Sequence, residues 1–217
     1  MSKRFYLRRF VRYYEKHGLL GTLSRFVVAT RRALYDNKTV MFYIDLQYAG
    51  RSDLVMPQSF SLEVVEHYSQ LRHDDLERMF DYLGKHRTEH HLRDRLKKGA
   101  KLWLLRVEHT LAAFIWSMRG NMVEPYFVPL TPDDAVLFAA ETFPDYRGRG
   151  LYPFLVECVF NELKKQNVVR VYGMAKTWNA SSLRGLAKTG FRHYADVRMV
   201  HVPGKTVTVW YANMNNQ

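Results

Sequence analysis

The stretch Thr142-Phe143-Pro144-Asp145-Tyr146-Arg147-Gly148-Arg149-Gly150-Leu151-Tyr152 carries the strongest chemical signal in the chain. It lies between an apolar run, Ala135 to Glu141, that reads as a strand, and a helix predicted from Leu151 to Gln166. A strand that turns tightly into a helix leaves the first helical N–H groups without partners and the positive end of the helix dipole exposed. Such a corner suits phosphate oxygens. Gly148 and Gly150 let backbone approach a ligand closely, and Arg147 and Arg149 add positive charge. Pro153 has no N–H, so the free donors must come from Arg147 to Tyr152.

A second block follows at Asn179-Ala180-Ser181-Ser182-Leu183-Arg184-Gly185-Leu186-Ala187-Lys188-Thr189-Gly190-Phe191. The two blocks together resemble the GNAT superfamily of acyl-CoA-dependent N-acetyltransferases. The Arg/Gln-x-x-Gly-x-Gly/Ala pattern of that family maps onto Arg147, Gly150 and Tyr152, with Pro144-Asp145-Tyr146 before it. The Asn, Ser and closing Gly-Phe of the second block also fall where that family has them. The resemblance covers residues 60 to 212.

It implies an α/β (α+β) fold: a mixed, mostly antiparallel twisted sheet flanked by helices, with splayed central parallel strands. It further implies acetyl-CoA as cofactor, its pantetheine arm inserted between the splayed strands against backbone groups of Glu141, Thr142 and Phe143. Arg147, Gly148, Arg149, Gly150, Leu151 and Tyr152 would hold the pyrophosphate, and Asn179 with Ser182 would border the cleft. The chain departs from the family at two positions. Tyr152 stands where Gly or Ala is usual, so its ring must point away from the cofactor or stack beside it. Leu186 stands where the family often has a general-acid tyrosine, so a departing thiolate needs another proton source.

Transfer of an acyl group to an amine needs a base to deprotonate the nucleophile. Glu141, at the strand end facing the presumed cleft, is the first candidate, acting directly or through water; a salt-bridged or solvated Glu141 is the competing reading. His193, Tyr194, Glu124 and Tyr126 are further candidates. The acceptor expected is a small-molecule or glycan amine, with an amino sugar of a cell-surface polysaccharide pathway preferred by resemblance. Two other readings stand beside this one: a long-chain N-acyltransferase, and a noncatalytic module of the same fold that binds nucleic acid or another anionic polymer.

His86 and His90 are four residues apart with His91 adjacent, but no Cys or Asp/Glu set completes a tetrahedron, so no metal site is assigned. Cys158 falls on the apolar face of the long helix and reads as core. Trp103, Trp116 and Trp210 read as strand packing, whereas Trp178, next to Asn179, is placed to stack on acceptor or cofactor.

The positioning elements follow from periodicity. Strands are read at Val40 to Leu46, Leu62 to Tyr68, Leu102 to Val107, Leu111 to Met118 and Val168 to Val171, with two more at the end. Helices are read at Asp74 to Leu83, at Glu89 to Lys98 capped by Thr88 and closed by Gly99, and at Asn179 to Lys188. Residues 39–217 form one domain in this reading. Hydrophobic residues make up 47% of the 217 and charged residues 25%, which excludes a disordered chain. The lone Cys158 forms no internal disulfide, and no charged leader precedes an unbroken apolar run. The setting expected is cytoplasmic.

Residues 1–38 stand apart as a basic amphipathic arm. They carry a net charge of +8 out of +12 for the chain. Tyr6, Phe10 and Tyr13 recur at helical spacing, Gly18 and Gly21 interrupt the pattern, and a second helix is read from Thr22. The arm could dock on the domain or on a second copy of the chain in a homodimer. It could lie on the inner face of an anionic membrane, or bind nucleic acid. On the membrane reading the full chain sediments with anionic vesicles and a chain lacking residues 1–38 stays in the supernatant; a full chain that fails to sediment ends it.

Overall fold

The computed structural model describes residues 18–24, 27–28, 38–48, 54–123, 126–202 and 205–211. Its strands are β1 (Lys38–Asp45), β2 (Phe60–Val65), β3 (Lys101–Val107), β4 (Thr110–Arg119), β5 (Asp134–Thr142), β6 (Arg170–Lys176), β7 (Arg192–Val202) and β8 (Lys205–Tyr211). Four helices connect them: α1 (His73–Leu83), α2 (Lys85–Lys97), α3 (Leu151–Lys165) and α4 (Ala180–Leu186). The strands form one sheet in the order β2-β3-β4-β5-β6-β1-β7-β8. Every neighbouring pair is antiparallel except β5 and β6, which run parallel. This is the mixed, mostly antiparallel architecture expected from the sequence.

Unbroken apolar runs, rather than alternation, mark β3 and β4 because both faces of the sheet are covered there. Leu102, Leu104, Phe114 and Trp116 pack with Met79, Leu92 and Leu96 of α1 and α2. Trp103, Leu105, Ala113 and Ile115 face the other way, onto Leu155, Val159, Phe160 and Leu163 of α3. The hairpin between these strands turns on Glu108 and His109, both in the left-handed region at φ 49° and 69°. A two-residue hairpin demands that twist.

Several boundaries differ from the sequence reading. The second helix starts at Lys85 and not at Glu89; Thr88 is buried inside its first turn, with its N–H on Gly84 O at 3.1 Å. Gly84, at φ 90°, breaks the helical run, and the polar Lys85-His86-Arg87 start showed no apolar period to reveal the restart. The strand read at Val168 to Val171 begins at Arg170 and runs to Lys176, because β1 pairs along its whole length. The strand β2 stops at Val65, and Tyr68 lies in a short 3-10 turn. Asn179 caps the short helix instead of opening it. Trp210, expected to pack, is 46% exposed near the sheet edge.

Most of the basic arm lies outside the described residues. Within it, residues 18–24 are helical through Gly21, and Thr22 donates to Gly18 O at 2.8 Å as an interior helical residue, not as a cap.

One buried charge network fastens α1 to the sheet. Arg106 of β3 is 2% exposed and donates to Glu63 Oε2 of β2 at 2.5 Å and to Asp75 Oδ2 in the first turn of α1. Breaking such a pair strands a buried charge. Asp75→Ala should therefore lower unfolding stability by about 3–5 kcal/mol in denaturant melts, and the double variant Asp75→Ala with Arg106→Met should recover part of the loss.

Candidate active site

The site starts from a failure of strand pairing. Parallel contact between β5 and β6 covers only Asp134↔Arg170 to Leu137↔Gly173. Beyond it β5 continues from Phe138 to Thr142 and β6 from Met174 to Lys176 without pairing to each other. Ala139, at φ 49°, makes a bulge: Trp116 pairs with Phe138 and Phe114 with Glu141, so the register on β4 slips between them. On its other side β6 stays zipped to β1 from Asp45↔Arg170 to Thr39↔Lys176. A bend on one strand and a straight partner on the other open a wedge at the centre of the sheet.

The chain then enters the corner singled out in the sequence. Tyr146 N–H bonds to Phe143 O at 3.0 Å and Arg147 N–H to Pro144 O at 3.2 Å. The N–H groups of Gly148, Arg149, Gly150, Leu151 and Tyr152 have no partner among the described residues. Gly148 and Gly150 adopt φ 77° and 74°, and a Cβ added to either would meet nothing within 4 Å. The corner is thus an open set of donors at the N-terminus of the fifteen-residue helix α3, which favours an anion.

The individual predicted residues divide. Tyr152 turns its ring onto α4: a Cβ at Gly185 would lie 2.9 Å from it, and burial pushes its phenol up to about 12. Its backbone amide remains at the corner while the ring packs away from it. Phe143 differs from expectation, since its side chain is 2% exposed and its N–H is committed to Ala112 O at 3.0 Å. Ladder alternation instead turns Thr142 toward the wedge, where its carbonyl accepts from Arg147 Nε at 3.0 Å. Arg147 also differs. Its guanidinium folds back from the corner to Glu141 Oε1 at 3.1 Å and to the Tyr82 hydroxyl, so the positive side chain left at the corner is Arg149, which lies over the Tyr146 ring. Asn179 Oδ1 accepts from Ser182 N–H at 3.3 Å and Ser181 Oγ at 2.8 Å, so these residues cap α4 at the far side of the wedge.

Glu141 ends β5 with its Oε1 held from two sides, by Arg147 and by Tyr82 Oη, which donates at 3.2 Å. Burial, followed by the charge of Glu141, pushes the Tyr82 phenol above its ordinary value. Arg78 adds a second tie from α1, to Asp145 Oδ2 at 3.4 Å, with its guanidinium 4.7 Å from the Phe143 ring centre. Tyr82 and Arg78 were not singled out in the sequence. They lie 59 and 67 residues from their partners, and only the packing of α1 under the end of β5 brings them there.

A cavity of about 350 Å³ lies between α1, α2 and the bulge of β5. Met79, Leu83, Leu92, Phe114 and Trp116 form its apolar wall; Thr88, Arg87, His91, Arg95 and Glu141 supply polar groups; and Ala139 and Ala140 bring the bulged backbone to its edge.

His193 instead pairs with Asp196 at 2.9 Å, and Tyr194 packs edge-on against Tyr43, Tyr172 and Trp210. Tyr126 is half-buried with its ring edge-on to Tyr172, and Glu124 lies outside the described residues. Leu186 is core, 5% exposed. Cys158 is buried, and burial pushes its thiol up to about 11. Trp178 is 43% exposed at the β6–α4 junction. Among the described residues no group of His, Cys, Asp or Glu is placed to hold a metal, and no helix is long and apolar enough to cross a membrane.

No known protein family profile matches the chain, and no curated protein matches it in sequence. Solved structures do. A GCN5-related N-acetyltransferase from Sphaerobacter thermophilus is 11% identical, superposing over 73% of this chain and 49% of its own with a TM-score of 0.50. A tandem GNAT protein from the clavulanic acid biosynthesis pathway is 15% identical over 78% of this chain and 55% of its own, at 0.52. The glucosamine N-acetyltransferase region of a fungal multi-domain β-N-acetylglucosaminidase is 13% identical over 81% of this chain and 22% of that one, also at 0.52. The chain spans less than two thirds of the length of each of these solved structures. These likenesses show that the fold is that of the GNAT superfamily.

The bulge is testable by itself. A β-branched residue at φ 49° is strained, so Ala139→Val should cost about 2 kcal/mol of stability in thermal melts, on the scale of left-handed backbone penalties. Ala139→Ser should cost far less.

Proposed function

We propose that the chain transfers an acetyl group from acetyl-CoA to an amine acceptor. One observation carries the reading: the wedge between β5 and β6 opens directly beside the uncommitted amides of residues 148–152. The GNAT fold of the chain supports it.

Acetyl-CoA, when bound, supplies the activated acetyl thioester. The amides of Gly148 to Tyr152 and the Arg149 side chain would hold its pyrophosphate, and the Thr142 peptide would meet the pantetheine. Arg147 holds the end of β5 in place: it fixes Glu141 and the Thr142 carbonyl from one side chain. Glu141 acts as general base. Its Oε1 is occupied by Tyr82 and Arg147, which orients the carboxylate and leaves Oε2 to take the amine proton, directly or through one water. Tyr82 is a positioning residue in this scheme. Leu186 has no proton to give, so solvent reprotonates the departing sulfur. The cavity under α1 and α2 would receive the acceptor, with Glu141 at its edge. An amino sugar fits the volume; of the similar structures, one is described as a glucosamine N-acetyltransferase region.

Calorimetric titration with acetyl-CoA, paired with acetyl transfer to a panel of amines, tests the reading. Gly150→Ala places a Cβ in open space at the corner but at φ 74°, which should cost about 1–2 kcal/mol in thermal melts, leave the circular dichroism spectrum unchanged, and weaken acetyl-CoA binding at least tenfold. Glu141→Gln should keep that binding and lower kcat by about 10²–10⁴. No measurable acetyl-CoA binding by the unaltered chain ends the proposal.

A further inference from the structure

The cavity beside Glu141 is unusual in its charge. Its cationic lining consists of Arg87 and Arg95, its anionic lining of Glu141 alone, and that carboxylate is already matched from outside the cavity by Arg147. Arg95 is the informative residue. Its guanidinium lies 5.2 Å from the Trp116 ring centre and 5.3 Å from that of Phe138, rings stacked on one another with centroids 6.3 Å apart. It makes no hydrogen bond or ion pair among the described residues. The nearest acid in sequence, Asp94, is taken by Lys98 at 2.9 Å. Burial, reinforced by the charge of Arg87, makes Arg95 easier to deprotonate than usual. Arg87 does not relieve this: it donates its Nε to His91 Nε2 at 3.4 Å, a contact that uses His91 as a neutral acceptor. Burial and the same two arginines hold the His91 pKa down.

A cation held on an aromatic shelf inside a half-apolar cavity, with a second cation beside it and no carboxylate to pair with, is a poor arrangement for an empty protein. It is a good one for a ligand that brings its own negative charge, because the guanidinium fork matches carboxylate and phosphate oxygens. Resting on the function proposed above, we infer that the acceptor is an amine that also carries an anionic group, carboxylate or phosphate, bound by Arg95 with Arg87 while its amine meets Glu141. The two ends of the cavity would then read opposite ends of one molecule, a carboxylate for the amine and guanidinium for the anion.

The experiment is calorimetric titration of the full chain with matched pairs: glucosamine 6-phosphate against glucosamine, and γ-aminobutyrate against butylamine. The anionic member of at least one pair should bind tenfold or more tighter than its neutral counterpart, and the pair that responds tells phosphate from carboxylate. Arg95→Met keeps the apolar contact with Trp116 and should abolish the preference while acetyl-CoA affinity is unchanged. Arg87→Met should reduce it. Where acetyl transfer is measured, Arg95→Met should raise KM for the anionic amine at least tenfold and leave KM for the neutral one within twofold. Equal binding of both members in both pairs, or a preference that survives in Arg95→Met and Arg87→Met alike, overturns the inference. A chain that prefers the anionic amine but binds no acetyl-CoA refutes the transferase reading and leaves the anion site standing.

Discussion

A strand in the middle of a sheet ordinarily pairs on both sides, because unpaired backbone N–H and C=O groups are costly to bury. Here β5 obeys that rule for only four residues and then leaves its parallel neighbour. Two features make the parting stable. The left-handed Ala139 changes the direction of β5 while β4 follows it through a register slip. Opposite, β6 cannot follow, since β1 holds it along its full length and β7 holds β1 in turn. The wedge is thus built in by the sheet order. It leaves partly exposed backbone of β5 and β6 without a strand partner on their facing edges, and the rest of the site is arranged around that opening.

The helices α1 and α2 are what keep the opening's rim in place. Arg106 fixes the start of α1 to the sheet through Asp75 and Glu63, and the other end of the same helix reaches the rim through Arg78 and Tyr82. A single eleven-residue helix therefore couples a buried ion network to the carboxylate at the end of β5. The exposed ties at the rim contribute little stability each. Their value is in restricting Glu141 and Arg147 to one arrangement, with α1 supplying a rigid platform that the loop after β5 lacks.

How much of this the sequence disclosed depended on range. The corner at residues 147–152 was legible because its information is local: glycines, a proline that removes a donor, and a helix start within one short window. The fold followed from resemblance in two such windows. Long-range facts were not accessible in the same way. Nothing in Val40 to Leu46 tells that this strand inserts between β6 and β7, and nothing in the helix around Tyr82 tells that its hydroxyl meets a glutamate 59 residues away. Arg147 shows the limit most clearly. Its position in the motif was read correctly as part of the corner, but side-chain direction depends on what packs nearby, and an acid and a phenol turned it back. The polar helix start at Lys85 was missed for a related reason: amphipathic periodicity reports burial, and the first residues of α2, apart from Thr88, are exposed.

Charge ties these levels together. With 33 basic and 21 acidic residues, the chain has too few acids to match every cation. Among the described residues the acids are spent largely on structure: Glu63 and Asp75 on Arg106, Asp134 on Arg170, Asp145 on Arg78, Glu141 on Arg147, and Glu66 on Lys101. Three of the cations left without an acid among those residues line the two concave regions of the site. Arg149 stands at the corner of bare amides, while Arg87 and Arg95 stand in the cavity behind the bulge. A general excess of positive charge would serve attraction to any anion at long range and would be screened by salt over about 8–10 Å. Two separated cationic positions, one on open backbone donors and one on an aromatic shelf, act at contact distance and select geometry. On the proposed reading, one anionic group would sit at each of these positions, with Glu141, the single acid of the cavity lining, serving as the base.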